Sequence, residues 1–107
     1  MFFDQSFIII TFLCLAEIYG DFAFRFYTQT NKFEYLAHGI AGYAGVIYFL
    51  IQALRIKNVL YVNGLWDGVS GLLESAAAYF ILGDRLERTS EYIGLVFIIV
   101  GIFLLKN

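Results

Sequence analysis

The sequence predicts an all-helical integral membrane protein with four transmembrane helices, built as one domain over residues 1–107. Two observations favour this fold class: 61% of the residues are hydrophobic and only 15% are charged, and the apolar residues fall into four long runs. Soluble domains average roughly 45–50% apolar and 25% charged residues. A soluble globule, a disordered tail and a nucleic-acid-binding protein are therefore disfavoured.

The four apolar runs are separated by short polar segments. They extend from about Phe3 to Phe26, Tyr35 to Leu54, Val59 to Leu82, and Tyr92 to Leu105. A spanning helix needs about 20 mostly apolar residues, so four helices fit in a chain of 107. The polar segments are Tyr27 to Glu34, Arg55 to Asn58, and Gly83 to Glu91. Connections this short make neighbouring helices antiparallel.

The basic residues give almost no orientation signal. One side of the membrane would carry Arg55, Lys57 and Lys106, and the other Arg25, Lys32, Arg85 and Arg88. Lys and Arg normally collect on the cytoplasmic side, and three against four is nearly balanced. Two interpretations stay open: another feature sets the topology, or the protein inserts in both orientations. Dual topology of the second kind allows an antiparallel homodimer. A multi-pass protein of the inner or plasma membrane is the predicted localisation.

Five ionisable residues lie inside the predicted spans: Glu17, Asp21, His38, Asp67 and Glu74. An acid at the bilayer centre costs about 2.5–3.5 kcal/mol on insertion scales, and such residues usually face a bundle interior or a wet cavity. The third helix should insert poorly alone, because it carries two of these acids. The sequence therefore predicts that the spans associate around their polar residues.

Helical spacing arranges these residues in three polar stripes. They are Cys14, Glu17 and Asp21; His38, Gly42, Gly45, Phe49 and Gln52; and Asn63, Asp67, Ser70 and Glu74. Residues three and four apart share a helix face, so the stripes are expected to converge on a common cavity. Structural alternatives stay open: Asp21 pairing with Arg25, Glu74 lying near a helix end in the headgroup region, and His38 being interfacial or hydrogen-bonded rather than a proton relay.

Small residues form a second pattern. Ala37, Ala41 and Gly45 repeat every four residues, Gly64 and Gly68 form a G-x-x-x-G pair, and Gly94 and Gly101 lie two turns apart. Small residues at such spacing allow helix backbones to approach closely in lipid. The fourth helix, which has no charge between Gly94 and Leu105, is predicted to serve packing or dimerisation.

No nucleotide, dinucleotide or zinc-binding motif occurs in the sequence. Glu17 and Asp21 offer the oxygen ligands that hard cations prefer, but two acids alone are a weak metal signal, so no metal and no cofactor is predicted. No convincing pair of nucleophile and base is present, and the protein is not expected to be an enzyme. Cys14, the single cysteine, cannot form an intrachain disulfide.

Several motifs in shared order resemble the small multidrug resistance transporters, a branch of the drug/metabolite transporter superfamily. They are Leu15-Ala16-Glu17-Ile18-Tyr19-Gly20, Tyr43, Gln52-Ala53-Leu54, Trp66, Gly68, Gly83-Asp84-Arg85-Leu86, Gly94 and Gly101. The resemblance covers about residues 10 to 106 and implies an antiparallel homodimer. It also implies that Glu17 binds either protons or a cationic substrate, that Tyr43 and Trp66 face the substrate, and that Gly68, Ser70 and Gly71 occupy the third-helix hinge. From spacing alone, aromatic packing within the bundle stays an equally open role for Tyr43 and Trp66.

Departures from the family pattern bear on the substrate. The family's proline before the third helix is replaced by the Lys57-Asn58 region, and a tyrosine, a small hydroxyl residue and a hinge glycine are replaced by Asn63, Asp67 and Ser70. Two copies would bring eight carboxylates from Glu17, Asp21, Asp67 and Glu74 into or near the cavity. The extra acids favour a small polar or multivalent cation over a lipophilic drug.

The resulting hypothesis is a proton-coupled antiporter that exports small cations of the guanidinium, amine, polyamine or quaternary ammonium type. A carboxylate desolvated between helices would release a proton to admit a cation and take one up to expel it. The alternatives are a small channel or a non-transporting interaction subunit of a membrane complex. Lipid-carrier transport is disfavoured, because it does not require a buried glutamate such as Glu17.

Overall fold

A computed structural model describes residues 4–106 as four α-helices and one short π-helical segment. The helices are α1 (Gln5–Thr30), α2 (Phe33–Leu54), α3 (Val59–Ala77) and α4 (Thr89–Lys106), and the π segment (Ala78–Leu82) directly follows α3. The all-helical prediction is confirmed. Two helices, α1 and α2, are long and apolar enough to cross a membrane, and α4 is apolar but shorter. The crossing of the membrane by all four helices stays a prediction.

The helix ends differ from the predicted ones for local chemical reasons. The first helix continues to Thr30 instead of ending near Phe26, because polar side chains still fit a helix: the Thr28 and Thr30 hydroxyls donate to the carbonyls of Arg25 and Phe26. Asn31 then adopts the left-handed conformation, with φ 57°, and ends the helix. The predicted start at Phe3 lies outside the described residues.

Of the later boundaries, the start of the third helix agrees with the prediction, whereas the end of the third span and the start of the fourth differ from it. The Asn58 side chain caps α3 by accepting from the Tyr61 backbone N–H at 2.9 Å, which fixes the predicted start at Val59. The predicted third span to Leu82 divides into α3 and the π segment, and Gly83 closes the segment with φ 77°. The fourth helix begins at Thr89, three residues before the predicted Tyr92.

The helices pack in an uneven arrangement. The most extensive contact joins α1 and α2, and α1 also packs on α3. The fourth helix packs mainly on α3 and also contacts the π segment, where the Tyr79 and Tyr92 ring centroids are 6.4 Å apart. A buried cluster joins α1, α2, α3 and α4; its members are Ile10, Cys14, Ala53, Val62, Leu65, Val69 and Ile102. The assembly is flat, 43 × 36 × 18 Å, and leaves many large apolar side chains exposed. Exposed apolar surface of this kind fits a lipid environment or a partner.

Glycines determine how closely α1 and α2 approach. A Cβ atom on Gly42 would lie 2.7 Å from the Cα of Gly20, and one on Gly39 would lie 2.2 Å from the Phe24 ring. Only glycine fits at these crossings. The small-residue prediction located this interface only in part, since Ala37 and Ala41 are exposed and Gly45 is half-buried against Ala16.

Candidate functional site

Three carboxyl groups meet between α1 and α3. Glu17 and Asp21 come from α1 and Glu74 from α3, and one oxygen of each lies within 4.8 Å of the others. All three residues are half-buried. We call these residues the acidic cluster.

Two donors from α3 hold the carboxylate of Glu17. The indole Nε1–H of Trp66 donates to its Oε1 at 3.4 Å, and the hydroxyl of Ser70 donates to the same oxygen. The carbonyl of Trp66 accepts in turn from the Cys14 thiol, with 3.9 Å between Sγ and the oxygen. Glu17 is therefore fixed against α3 by a continuous set of polar contacts.

The second acid of α1 contacts a different set of partners. The hydroxyl of Tyr43, on α2, donates to Oδ1 of Asp21, and a carboxylate oxygen of Asp21 lies within 4.8 Å of one of Glu74. The Tyr43 ring stacks on Phe24, with 5.7 Å between the ring centroids. The cluster of α1 and α3 residues thus has a hydrogen-bond partner on a third helix, α2.

Helix geometry explains why these residues meet. Glu17 and Asp21 are four residues apart, and Trp66, Ser70 and Glu74 repeat at the same interval, so each set lies on one face of its helix. The close approach of α1 and α2 brings Tyr43 against Gly20, where an added Cβ would lie 2.8 Å from the tyrosine ring.

The electrostatics of the cluster favour binding of positive charge. Like charges this close together disfavour full ionisation, so protons or a cation stabilise the group. One alternative from the sequence was that Asp21 pairs with Arg25, and the structure does not show this ion pair. The Arg25 guanidinium pairs instead with Asp84 at 3.4 Å, in the connection between the π segment and α4.

The oxygen atoms of the cluster are also of the type that hard metal cations prefer. Three carboxylates fall short of the six to eight ligands that Ca²⁺ takes in proteins. The cluster contains no imidazole and no thiolate ligand, so its donor set does not resemble a zinc site. It is better suited to protons and a hydrogen-bonding cation.

The other predicted polar residues lie outside the cluster. Asn63 and Asp67 are exposed, and Asp67 does not belong to the three-carboxylate group. Within one chain three of the four predicted acids therefore meet, and the prediction that two copies bring eight carboxylates into or near a shared cavity stays a prediction. Glu74, for which a place near a helix end was an open alternative, lies inside the cluster. His38 accepts or donates at Nδ1 with the Tyr19 hydroxyl on an exposed surface, which agrees with a hydrogen-bonded role.

The predicted hinge and packing positions fall into two groups. A Cβ on Gly68 would lie 2.8 Å from Ile102, so this glycine supports the contact of α3 with α4. An added Cβ would meet nothing within 4 Å at Gly71, Gly94 or Gly101 in the described part of the chain. Ser70, predicted as a hinge residue, is 8% exposed and bonds to Glu17. The four-residue repeat that joins it to Trp66 and Glu74 is the signal that reveals this role.

A separate cleft of about 430 Å³ lies between the α3 end, the π segment and α4. Its lining is mainly apolar, and Arg85 at one end lies 3.7 Å above the centroid of the Tyr79 ring. The guanidinium of Arg85 also donates to the Tyr79 carbonyl at 2.9 Å. The acidic cluster does not line this cleft. This apolar cleft and the acidic cluster are therefore two separate sites.

In comparisons with known proteins, the chain matches no family model, no curated protein and no solved structure. The similarity to the small multidrug resistance family stays a resemblance of motifs. The chemistry of the acidic cluster is the basis for assigning a function.

Proposed function

We propose that this chain is a four-span protein of the inner or plasma membrane that works as an antiparallel homodimer and exports small cations in exchange for protons. The observation that carries the proposal is the meeting of Glu17, Asp21 and Glu74 between α1 and α3. Ionisable groups within a membrane are expensive to insert and commonly mark substrate or proton pathways.

The exchange follows from competition for one carboxylate. Glu17 binds a proton in one state and a cation in the other, so arrival of either ligand favours release of the other. Asp21 and Glu74 add negative charge beside it, which strengthens the attraction for any positive ligand. Since proton and cation occupy the same oxygen atoms, transport of the two is coupled without any further component.

The neighbouring aromatic residues favour a particular class of substrate. Trp66 and Tyr43 contact the acids of the cluster, and their rings offer cation–π attraction of about 0.5–2 kcal/mol. Two copies would bring six cluster carboxylates together. Such a site suits guanidinium, amine or polyamine cations, which donate several hydrogen bonds, better than a quaternary ammonium ion, which donates none.

The antiparallel homodimer is supported by two features. Lys and Arg are almost evenly divided between the two ends of the helices, so neither orientation is strongly favoured. The single chain is also open on one side: α4 exposes apolar side chains including Val96, Phe97 and Phe103. A second copy would cover part of that surface.

Transport into proteoliposomes tests the proposal. In vesicles with an acidic lumen, the native protein should accumulate guanidinium from outside, and the Glu17→Gln variant should lose this proton-driven uptake by at least about 100-fold, a margin within the range of proton-transfer groups. Glu87→Gln is the matched control, because Glu87 is exposed and lies outside the cluster. Proton-driven uptake that persists in Glu17→Gln would contradict the proposal.

The rival function is a non-transporting interaction subunit, or a small channel. The exposed apolar side of α4 is the observation that favours an interaction subunit. Counterflow separates these functions: a preloaded cation should accelerate uptake of labelled guanidinium in a saturable way through an antiporter. A channel would give uptake that does not saturate, and an interaction subunit would give none.

A further inference from the structure

The hydroxyl of Ser70 has an unusual hydrogen-bond partner for a serine within a helix, because it bonds to a side chain of another helix. Ser70 lies in the middle of α3 and is 8% exposed. Serines within helices commonly bond back to the carbonyl one turn earlier. Here the hydroxyl reaches across to Oε1 of Glu17 on α1, while the Trp66 carbonyl, one turn earlier, accepts from Cys14. The serine is thus tied to the chemistry of the neighbouring helix.

The geometry of the two donors leaves one side of the carboxyl group available. Ser70 and Trp66 both donate to Oε1. The other oxygen of Glu17 is then the one that is presented to a proton or a cation. Hydrogen bonds to an ionised carboxylate are charge-assisted and stabilise that form.

We propose that Ser70 is a positioning residue that orients Glu17 and stabilises its ionised form. This inference rests on the proposed function, because it concerns the carboxylate that exchanges protons for cations. Ser70 opposes the effect of the acids that surround Glu17, which are Asp21 on the same helix and Glu74 on α3. The titratable groups beside these acids are the Tyr43 hydroxyl from α2, which donates to Asp21, and the Cys14 thiol, which donates to the Trp66 carbonyl.

Trp66 provides a direct readout of this hydrogen bond. It is the single tryptophan of the chain, and its indole N–H bonds to the same oxygen as Ser70. Protonation of Glu17 changes the charge beside the indole and should change its fluorescence. A pH titration of tryptophan emission in detergent therefore follows Glu17 without any substrate, and the Glu17→Gln variant should abolish the transition.

Two substitutions distinguish the effect of losing the hydroxyl from an effect on the helix backbone. Ser70→Ala and Ser70→Gly both remove the hydroxyl, but they differ in helix propensity. Because the lost donor favoured the ionised carboxylate, both variants should move the emission midpoint to higher pH, by about one pH unit or a tenfold change in proton binding. Ser75→Ala and Ser75→Gly are the controls, since Ser75 lies on α3 but lines the separate cleft.

Equal shifts in the two Ser70 variants, with native midpoints in both Ser75 variants, would support the positioning role. A native midpoint in Ser70→Ala, or a shift in Ser70→Gly alone, would mean that Ser70 serves packing or flexibility and would overturn the inference. A transition that persists in Glu17→Gln would also overturn it, because Trp66 would then report another acid. Proton-driven guanidinium uptake is measured separately, so failure of the proposed function remains distinguishable.

Discussion

The pair formed by α1 and α2 is packed backbone against backbone, whereas α4 contacts the rest of the described chain through side chains, mainly those of α3. In the first region, Gly42 and Gly20 allow the two helices to meet. In the second, a Cβ added at Gly94 or Gly101 would meet nothing within 4 Å outside its own stretch of helix among the described residues. Because packing rather than hydrophobicity drives helix association in lipid, the close pair is the rigid support of the acidic cluster.

The two regions also differ in what they contribute to the candidate site. The α1–α2 pair presents Glu17, Asp21 and Tyr43 from a fixed frame, and α3 completes the site. The fourth helix contributes no side chain to the acidic cluster or to its hydrogen bonds. Its apolar surface is free to face lipid or a second copy of the chain. A rigid frame and a loosely attached helix should therefore respond differently to the same substitution.

Replacing Gly42 with Ala should produce the largest effect on stability. The added Cβ would lie 2.7 Å from both Cα and N of Gly20 and 2.9 Å from the Ala16 carbonyl oxygen. These are backbone atoms, which cannot move aside without separating the helices. Overpacking of this kind typically costs about 1–3 kcal/mol, and thermal unfolding in detergent, followed by circular dichroism, measures the loss.

Gly94→Ala is the matched control for this substitution. Its Cβ meets nothing within 4 Å among the described residues, and alanine favours a helix over glycine by about 1 kcal/mol or less. The variant should be as stable as the native protein or slightly more stable. An equal loss in both variants would remove the distinction between the two regions.

The smallest effect is expected at the ion pair that connects the end of α1 to the segment before α4. Arg25 and Asp84 are 3.4 Å apart, with side chains that are 41% and 47% exposed. Exposed pairs contribute about 0–1 kcal/mol and are screened by salt. Asp84→Asn should lower stability by no more than this, and 1 M salt should remove most of the difference. A larger, salt-independent loss would mean that this connection is part of the rigid frame.

Much of the helical structure was predictable from the sequence, because apolar runs of this length leave few other conformations in a membrane. The ends were less predictable. Tyr27 to Thr30 are polar and suggested a loop, but threonine hydroxyls that bond back to the helix allow it to continue. The division of the third run into α3 and the π segment left no signal in hydropathy alone.

The site was predictable in part for a similar reason. Helical spacing correctly placed Glu17 and Asp21 on one face, and the family resemblance pointed to Trp66 and Tyr43. On α3, the predicted stripe of Asn63, Asp67, Ser70 and Glu74 contained two residues that meet α1, Ser70 and Glu74. It also ran through the exposed Asn63 and Asp67, whereas the contacting face continues through Trp66. A single helix reveals the period of its pattern but not the direction from which its neighbour approaches.

The central claim is that a proton and a cation compete for Glu17, and proton release on binding tests it most directly. Guanidinium should be added to the detergent-purified protein in a weakly buffered solution while the pH is recorded. We expect the native protein to release protons in a saturable way, and the Glu17→Gln variant to release none. Equal release from both proteins, or guanidinium binding by the native protein without release of protons, would contradict the account.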